Sequence, residues 1–253
     1  MKKLKEKMID FLCDETHKRG FHNVVFGLSG GLDSAVVATL CKEAFGVNAI
    51  AVLMPTSKSS PQHYQDALKI IEILSLKYEI INLEKFEEIF SSFKEMDSLR
   101  FGNLCARTRM MLLYDIASRE KALVIGTSNK SERMLGYGTI YGDLACAINP
   151  IGEIYKSDLY EFAKYLGIPR EIIQKKPSAD LYEGQNDEDE LGYSYEKIDR
   201  FLKKILKNNG DIDNLLLDSA IIESEYSKDF IQSILERIQR NRFKLGVPKV
   251  FNP

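Results

Sequence analysis

The sequence of 253 residues predicts an α/β protein: a doubly wound, mainly parallel sheet flanked by helices, with a helical C-terminal part. Three observations predict it. Apolar runs of strand length recur at 23–28, 47–54, 78–83 and 122–127, and segments of helical periodicity separate them. A glycine turn, Ser29-Gly30-Gly31, joins the first run to a helix, an arrangement that aims backbone N–H groups at one point. The polar segments 27–34, 54–58 and 126–132 all fall at the carboxyl ends of predicted strands, where ligands of such sheets collect.

In chain order, Leu4, Met8, Phe11 and Leu12 share one face of a helix over about 3–19, with Gly20 as its stop. After the first strand and the glycine turn, Val36, Val37, Leu40 and Ala44 give a helix over about 33–45 that ends near Gly46. The second strand leads into loop chemistry, Pro55-Thr56-Ser57-Lys58-Ser59-Ser60-Pro61. Ala67, Ile70, Ile71 and Leu74 mark the next helix, and the third strand is followed by a short helix over 86–93. Met110, Leu113, Tyr114 and Ala117 line one side of a helix over about 103–119, ahead of the fourth strand. The segment 135–148 is irregular and carries Gly136, Gly138 and Gly142; a long loop inside a compact domain is either functional or disordered. Leu159, Phe162, Ala163 and Leu166 form a helix closed by Gly167. The segment 177–192 is acidic, with Glu183, Asp187, Glu188, Asp189 and Glu190, and composition alone reads it as a solvated surface loop. Helices around 198–205 and 231–238 precede a basic tail at 240–244. No repeat or linker divides the chain, so 1–253 is expected to form one domain.

Bulk composition excludes several classes. Lys and Arg number 35 against 37 Asp and Glu, a net charge of −2, which argues against wholesale nucleic-acid binding. No apolar run is long enough to span a bilayer. The start, Met1-Lys2-Lys3-Leu4-Lys5-Glu6-Lys7, is charged and lacks an apolar signal core, so a cytoplasmic location is expected. The four cysteines, Cys13, Cys41, Cys105 and Cys146, form no Cys-x-x-Cys pair, which disfavours a zinc knuckle or a redox dithiol.

A Gly-Gly turn alone reads equally well as a plain strand–helix connection. The Gly-x-x-x-x-Gly-Lys-Ser/Thr spacing is absent, which disfavours an ordinary kinase or GTPase phosphate loop. Asp33 lies in the helical turn behind the glycines and Glu132 just past the fourth strand. Singly, each reads as a helix-terminal acid. Flanking one anion cradle, they suit magnesium, which takes one or two protein carboxylates and completes its octahedron with water and phosphate oxygens. Arg107 and Arg109 face different ways on their helix, so one can reach a ligand while the other makes a structural ion pair. Lys156 is either an ordinary solvated lysine or a point charge beside a polyphosphate.

The hexapeptide Ser29-Gly30-Gly31-Leu32-Asp33-Ser34 resembles the pyrophosphate loop of the ATP pyrophosphatases, an adenine nucleotide alpha hydrolase-like group that adenylates a substrate and releases pyrophosphate. Further segments, in order, resemble bacterial NAD synthetase. They are Gly102-Asn103 through Ala106-Arg107 to Arg109-Met110, Gly126-Thr127-Ser128-Asn129-Lys130-Ser131-Glu132, and Pro177-Ser178-Ala179-Asp180-Leu181. Asp187-Glu188-Asp189-Glu190-Leu191-Gly192, with Tyr195 and Ile198-Asp199, continues the likeness.

The resemblance implies that Gly27, Leu28, Ser29, Gly30, Gly31, Leu32, Asp33 and Ser34 hold the ATP phosphates, with Thr127, Lys156 and Ser178 also on ATP. It places Mg2+ on Asp33 and Glu132. It brings Asn103, Arg107 and Lys244 to deamido-NAD (nicotinic acid adenine dinucleotide), near the subunit interface of a homodimer. The implied reaction is ATP-dependent amidation of deamido-NAD to NAD with ammonia, through an adenylated intermediate, releasing AMP and pyrophosphate. Asp33 and Lys156 are expected to support the transition state, with no nucleophilic residue. Glutamine-using relatives carry an added amidase domain, and with the loop starting at Gly27 free ammonia is the expected donor. The segment 178–192 is expected to act as a lid over the adenylate.

The chain departs from the family pattern on the dinucleotide grip and the ATP rim. A lysine and an aspartate of the glycine-rich loop are replaced by Ile140 and Ala147, and a near-terminal His-Lys-Arg reads Phe243-Lys244-Leu245. An arginine at the end of the second strand gives way to Leu53-Met54-Pro55. Two other readings are weaker. One is a pyrophosphatase that modifies tRNA or another acid; a tRNA thiolation enzyme is expected to show paired cysteines and a basic face, and the sequence shows neither. A non-catalytic ATP-binding regulatory module has no use for the paired Asp33 and Glu132 or for the Arg107 segment.

Overall fold

The structure, a computed structural model, describes residues 1–178, 185–209, 225–246 and 250–251. Four parallel strands, β1 (Asn23–Gly27), β2 (Ala49–Leu53), β3 (Lys77–Ile80) and β4 (Ala122–Val124), form one sheet in the order β3-β2-β1-β4. The chain builds outward from β1 to β3 and then returns to the other side of β1. That reversal opens a crevice at the carboxyl ends of β1 and β4, the switch point of the sheet. Val25 stands level with Ile50 on one side and Val124 on the other, so the loops leaving β1 and β4 start side by side. Ile125 extends the ladder through a parallel bridge to Ile148.

Five helices lie within the first half: α1 (Lys2–Lys18), α2 (Leu32–Phe45), α3 (Pro61–Leu74), α4 (Glu84–Ser91) and α5 (Ser98–Glu120). Then come α6 (Lys130–Leu135), α7 (Lys156–Leu166) and α8 (Arg170–Ile173). The C-terminal part holds α9 (Asp187–Leu191), α10 (Tyr195–Asn209) and α11 (Lys228–Asn241), closed by a 3-10 turn at Arg242–Leu245.

Alternate residues of a strand point to opposite faces. Val24 and Phe26 of β1 pack under α1, α2, α3 and α7 through Leu12, Val36, Leu40, Ile70 and Phe162. Val25 packs on the other face with Leu113 and Ile116 of α5. Both faces of the central strands are thus covered, which is why those strands read as apolar runs rather than as alternation. A second apolar cluster joins Leu135 of α6 and Leu191 of α9 to Ile198 and Phe201 of α10 and Phe230 and Ile234 of α11. Its aromatic rings stack edge-on, with Phe201 and Phe230 centroids 5.3 Å apart.

Helix ends differ most from expectation. α5 starts at Ser98 rather than near 103, because the Asp97 carboxylate accepts the Arg100 N–H at 2.7 Å and Phe101 is buried against Phe90. α9 forms where an irregular acidic loop was expected: the Asn186 side chain accepts the Glu188 N–H at 3.2 Å, and Asp187 is buried. The remaining part of the expected lid, 179–184, lies outside the described residues.

Phe201 is fully buried in the second cluster. Phe201→Ala is expected to lower unfolding free energy by about 3–5 kcal/mol, measured by urea denaturation. A loss below about 1 kcal/mol would show that this cluster is not a packed core.

Candidate functional site

β1 hands the chain to a turn that becomes the start of α2. Gly31 is the N-cap of α2 and no side chain caps that end. Its first amides carry the positive end of the helix dipole, and Gly31, Leu32, Asp33 and Ser34 line the crevice there. Two serines brace the turn. The Ser29 N–H donates to Ser34 Oγ at 3.3 Å, the Ser34 hydroxyl donates to the Gly31 carbonyl at 3.0 Å, and the Gly31 N–H donates to Ser29 Oγ at 3.2 Å. Gly30 sits at φ +80°, and a Cβ there would fall 1.9 Å from the His63 carbonyl oxygen on α3. Only glycine fits between the turn and that helix.

The other side of the crevice delivers a buried charge cluster. Lys156 is the first residue of α7, and its side chain is 5% exposed. Its ammonium pairs with Asp33 Oδ2 and lies 3.5 Å from Glu132 Oε1. Glu132 is held by a capping box at the start of α6: Asn129 Oδ1 accepts the Glu132 N–H at 3.0 Å, and Glu132 Oε2 accepts the Asn129 N–H at 3.2 Å. The same Asn129 donates Nδ2–H to Asp33 Oδ1 at 2.9 Å, tying the β1 loop to α6.

Behind the cluster, buried Asp199 of α10 joins α6 to α7. Its carboxylate accepts from Ser131 Oγ at 2.5 Å and from the Ser157 N–H at 2.8 Å, and Ser131 Oγ accepts the Lys156 N–H at 3.0 Å. Burial pushes the Asp199 carboxyl up, while these hydrogen bonds pull it back.

Burial also raises Glu132, to about 8, and the Asp33 and Asp187 carboxylates add to that shift. For Lys156 burial works against the charge, but Asp33 and Glu132 outweigh it and hold the ammonium above its ordinary value. Two carboxylates therefore meet one lysine, and Asp187 adds its charge against Glu132, an excess of negative charge out of water. No group of three His, Cys, Asp or Glu side chains converges as a metal cage among the described residues. A magnesium ion that keeps water and phosphate oxygens needs only one or two carboxylates, and Asp33 and Glu132 fit that need.

The far wall is built by the irregular segment after α6. Thr139 Oγ1 donates to Asn103 Oδ1 of α5 at 2.7 Å. Lys244 donates to the Gly136 and Gly138 carbonyls at 2.8 and 3.1 Å. Burial and the neighbouring Arg237 push its ammonium below the ordinary value. Tyr137 Oη lies 3.1 Å from Asp187 Oδ1 and 2.8 Å from Glu190 Oε2. Gln185 Nε2 donates to Glu190 Oε1 at 3.0 Å.

Together these walls enclose a cavity of about 500 Å³. Gly27, Leu28, Ser29, Gly31, Leu32, Asp33, Ser34, Asn103, Thr127, Glu132, Lys156, Ser178 and Lys244 all line it. Gly30 is buried behind the turn. Arg107 is not among the lining residues: it is exposed, and its Nε donates to the Ile140 carbonyl at 3.2 Å. Arg109 takes the inward position and donates to the Met54 carbonyl at 3.0 Å. Asn129 and Ser131 stand within the 126–132 segment with no role assigned to either from the sequence, and Arg237 was not singled out. Only Asn129 carried a local signal, the Asn-x-x-Glu spacing of a capping box.

A parallel sheet with an uncapped glycine-led helix at its switch point, facing a lysine between carboxylates, defines an α/β protein of adenine nucleotide alpha hydrolase-like fold. The NAD synthase family model matches residues 4–248, and the chain belongs to that family. An NH3-dependent NAD+ synthetase of Helicobacter pylori (strain P12) is 50% identical, covering 100% of both chains. One from Campylobacter jejuni subsp. jejuni serotype O:23/36 is 47% identical over 98% of this chain and 97% of the relative. Among solved structures, NH3-dependent NAD synthetase of Campylobacter jejuni in complex with the nitrate ion superposes with a TM-score of 0.82 at 40% identity, over 99% of each chain. NMN synthetase from Francisella tularensis superposes with a TM-score of 0.87 at 34% identity, over 99% of this chain and 98% of that one.

The proton on Glu132 gives a signed expectation. Its carboxyl titrates at about 8 in the folded chain and at about 4.3 when unfolded. Between those values the native state holds the extra proton. The stabilisation is fully present below the unfolded value and is lost as pH rises through 8. Glu132→Gln removes this dependence, so its urea-unfolding free energy should fall less than that of the parent between about pH 6 and about pH 9. Equal slopes in both proteins would contradict the raised carboxyl.

Proposed function

We propose that the crevice between β1 and β4 amidates deamido-NAD to NAD with ATP and ammonia. One observation carries this: Asp33, Glu132 and Lys156, from three separate elements, meet beside the amides of the 27–34 loop in one cavity. The full-length likeness to NH3-dependent NAD+ synthetases supports the same reaction. The chain is read as acting as one unit over 1–253.

In this reading the loop amides and Thr127, Lys156 and Ser178 hold ATP, with Asp33 and Glu132 on Mg2+. The ion, when bound, neutralises the polyphosphate and eases departure of pyrophosphate. The deamido-NAD carboxylate attacks the ATP α-phosphorus, and the bond to pyrophosphate breaks. Ammonia then attacks the acyl carbon, the bond to AMP breaks, and the surplus proton leaves to solvent. Such transfers need positioning and charge neutralisation rather than a protein nucleophile. The Cys105 thiol beside the site is pushed up by burial, so it stays protonated, in keeping with that economy.

Asn103 and Lys244 are assigned to deamido-NAD. Arg107 stands outside the cavity, one turn from exposed Met111 and two turns from exposed Tyr114 on α5. An exposed arginine beside apolar side chains supports a homodimer whose second subunit covers this end of the substrate. A cytoplasmic location belongs to the same proposal; no helix among the described residues is long and apolar enough to cross a membrane. A second acid, nicotinic acid mononucleotide, is favoured by the close superposition on NMN synthetase.

One assay decides. ATP, Mg2+ and ammonium are supplied with deamido-NAD or with nicotinic acid mononucleotide, and NAD, NMN, AMP and pyrophosphate are followed. NAD formation with deamido-NAD as the better acid is expected, and glutamine should not replace ammonium. Asp33→Asn should lower kcat by about 10²-fold or more with the fold intact by circular dichroism. Binding of ATP without AMP release for either acid would move the chain to the regulatory-module reading.

A further inference from the structure

The residues just beyond α8 touch the phosphate loop at a point the mechanism leaves unused. Lys175 lines the cavity, and its Nζ donates to the Gly30 carbonyl at 2.8 Å. The same ammonium pairs with Asp66 Oδ2 at 2.6 Å. Asp66 lies on α3 with its side chain 4% exposed, and its Oδ1 accepts from Gln62 Nε2 at 3.0 Å. A lysine beyond α8, paired with a buried carboxylate of α3, therefore meets one backbone oxygen of the loop.

Peptide geometry gives that oxygen its importance. The peptide unit is planar and trans, so the Gly30 C=O and the Gly31 N–H point opposite ways. Fixing one direction fixes the other. Glycine stands on both sides of this peptide, with Gly30 at φ +80° and Gly31 at φ −85°. In most turns a Cβ on one side resists rotation of the peptide plane. Here neither residue has one, and glycine adopts either sign of φ. A flipped plane would turn a carbonyl oxygen, with its partial negative charge, toward the place the phosphates occupy. On the cavity side the Gly31 N–H donates to the exposed Ser29 side chain at 3.2 Å, a contact made within the turn itself.

We propose that Lys175 is a positioning residue for ATP: anchored by Asp66, it locks the 30–31 peptide so that the Gly31 N–H, and not the Gly30 carbonyl, faces the phosphates. The inference rests on the reading that ATP binds the 27–34 loop. It differs in sign from a direct role. If Lys175 acts through Gly30, removing the Asp66 charge loosens the anchor and weakens ATP binding. If Lys175 instead touches phosphate itself, removing that charge frees the ammonium and strengthens ATP binding.

The full chain is titrated calorimetrically with a non-hydrolysable ATP analogue and Mg2+, as parent, Lys175→Met, Lys175→Arg and Asp66→Asn. Thermal unfolding of each accompanies the titration. Lys175→Met should raise the Kd about tenfold, Asp66→Asn should raise it in the same direction, and Lys175→Arg should recover part of the loss. In turnover the KM for ATP should rise while that for deamido-NAD stays within about twofold, a split that general loosening of the fold does not produce. Should buried Asp66→Asn fail to fold, Lys175→Met, at a side chain 21% exposed, still carries the test through the same KM split. A parental Kd in Lys175→Met, tighter binding in Asp66→Asn, or equal KM changes for both substrates would each overturn the proposal. A parent chain that fails to bind the analogue overturns the ATP reading itself, and this inference with it.

Discussion

The site depends on keeping one ammonium, that of Lys156, charged and out of water. Burying a charge is unfavourable unless opposite charge meets it, and here Asp33 does so directly with Glu132 beside it. These three residues come from the starts of α2, α6 and α7. The ion pair therefore works as a tie between elements that no stretch of backbone connects. Removing one partner from such a buried pair costs about 3–5 kcal/mol, because the other is left uncompensated.

The same cluster is out of balance on the acidic side. Asp33 and Glu132 share one lysine, Asp187 adds its charge against Glu132, and the imbalance appears as a proton retained on Glu132. A cation beside the carboxylates, and an anion on the amides at the start of α2, would relieve both imbalances together. A polyphosphate accompanied by a divalent ion has that pairing of charges. The crevice is thus more complementary to its ligands than to itself, as expected of a site built for electrostatic stabilisation rather than for stability.

Support comes from two apolar cores with separate tasks. The sheet core sets β1 and β4 level, so that their loops open on one crevice. The C-terminal cluster presses α10 against α6 and α7, and there Asp199 caps α7 and binds Ser131. Leu159 and Phe162 hold α7, and with it Lys156, against the first core, which also places Asp33; the second core brings Asp199 to the start of α7.

Strand runs, the Ser29-Gly30-Gly31 turn and helical periodicity depend on neighbours in sequence, and so the doubly wound sheet and the glycine turn that leads into α2 were legible without coordinates. Asp33, Glu132 and Lys156 were legible as candidates by type and by position after predicted strands. Their burial was not, because burial depends on which elements fold over them. Lys156 read as solvated or functional with equal force, and Asp187 read as surface charge until α9 and Tyr137 enclosed it. Which of Arg107 and Arg109 turns inward was undecidable from spacing, since the two merely diverge on α5; packing against the segment 136–144 and the end of β2 chose Arg109. The sequence by itself determined the fold class, the family and the anion-binding turn, through short-range patterns of hydrophobicity and glycine. Only the tertiary structure decided which charges lose water and meet, because hydrogen bonding across 96 to 145 residues, from Asn129–Asp33 to Lys175–Gly30, with the Lys156–Asp33 ion pair across 123, is a property of the closed core and not of any local stretch.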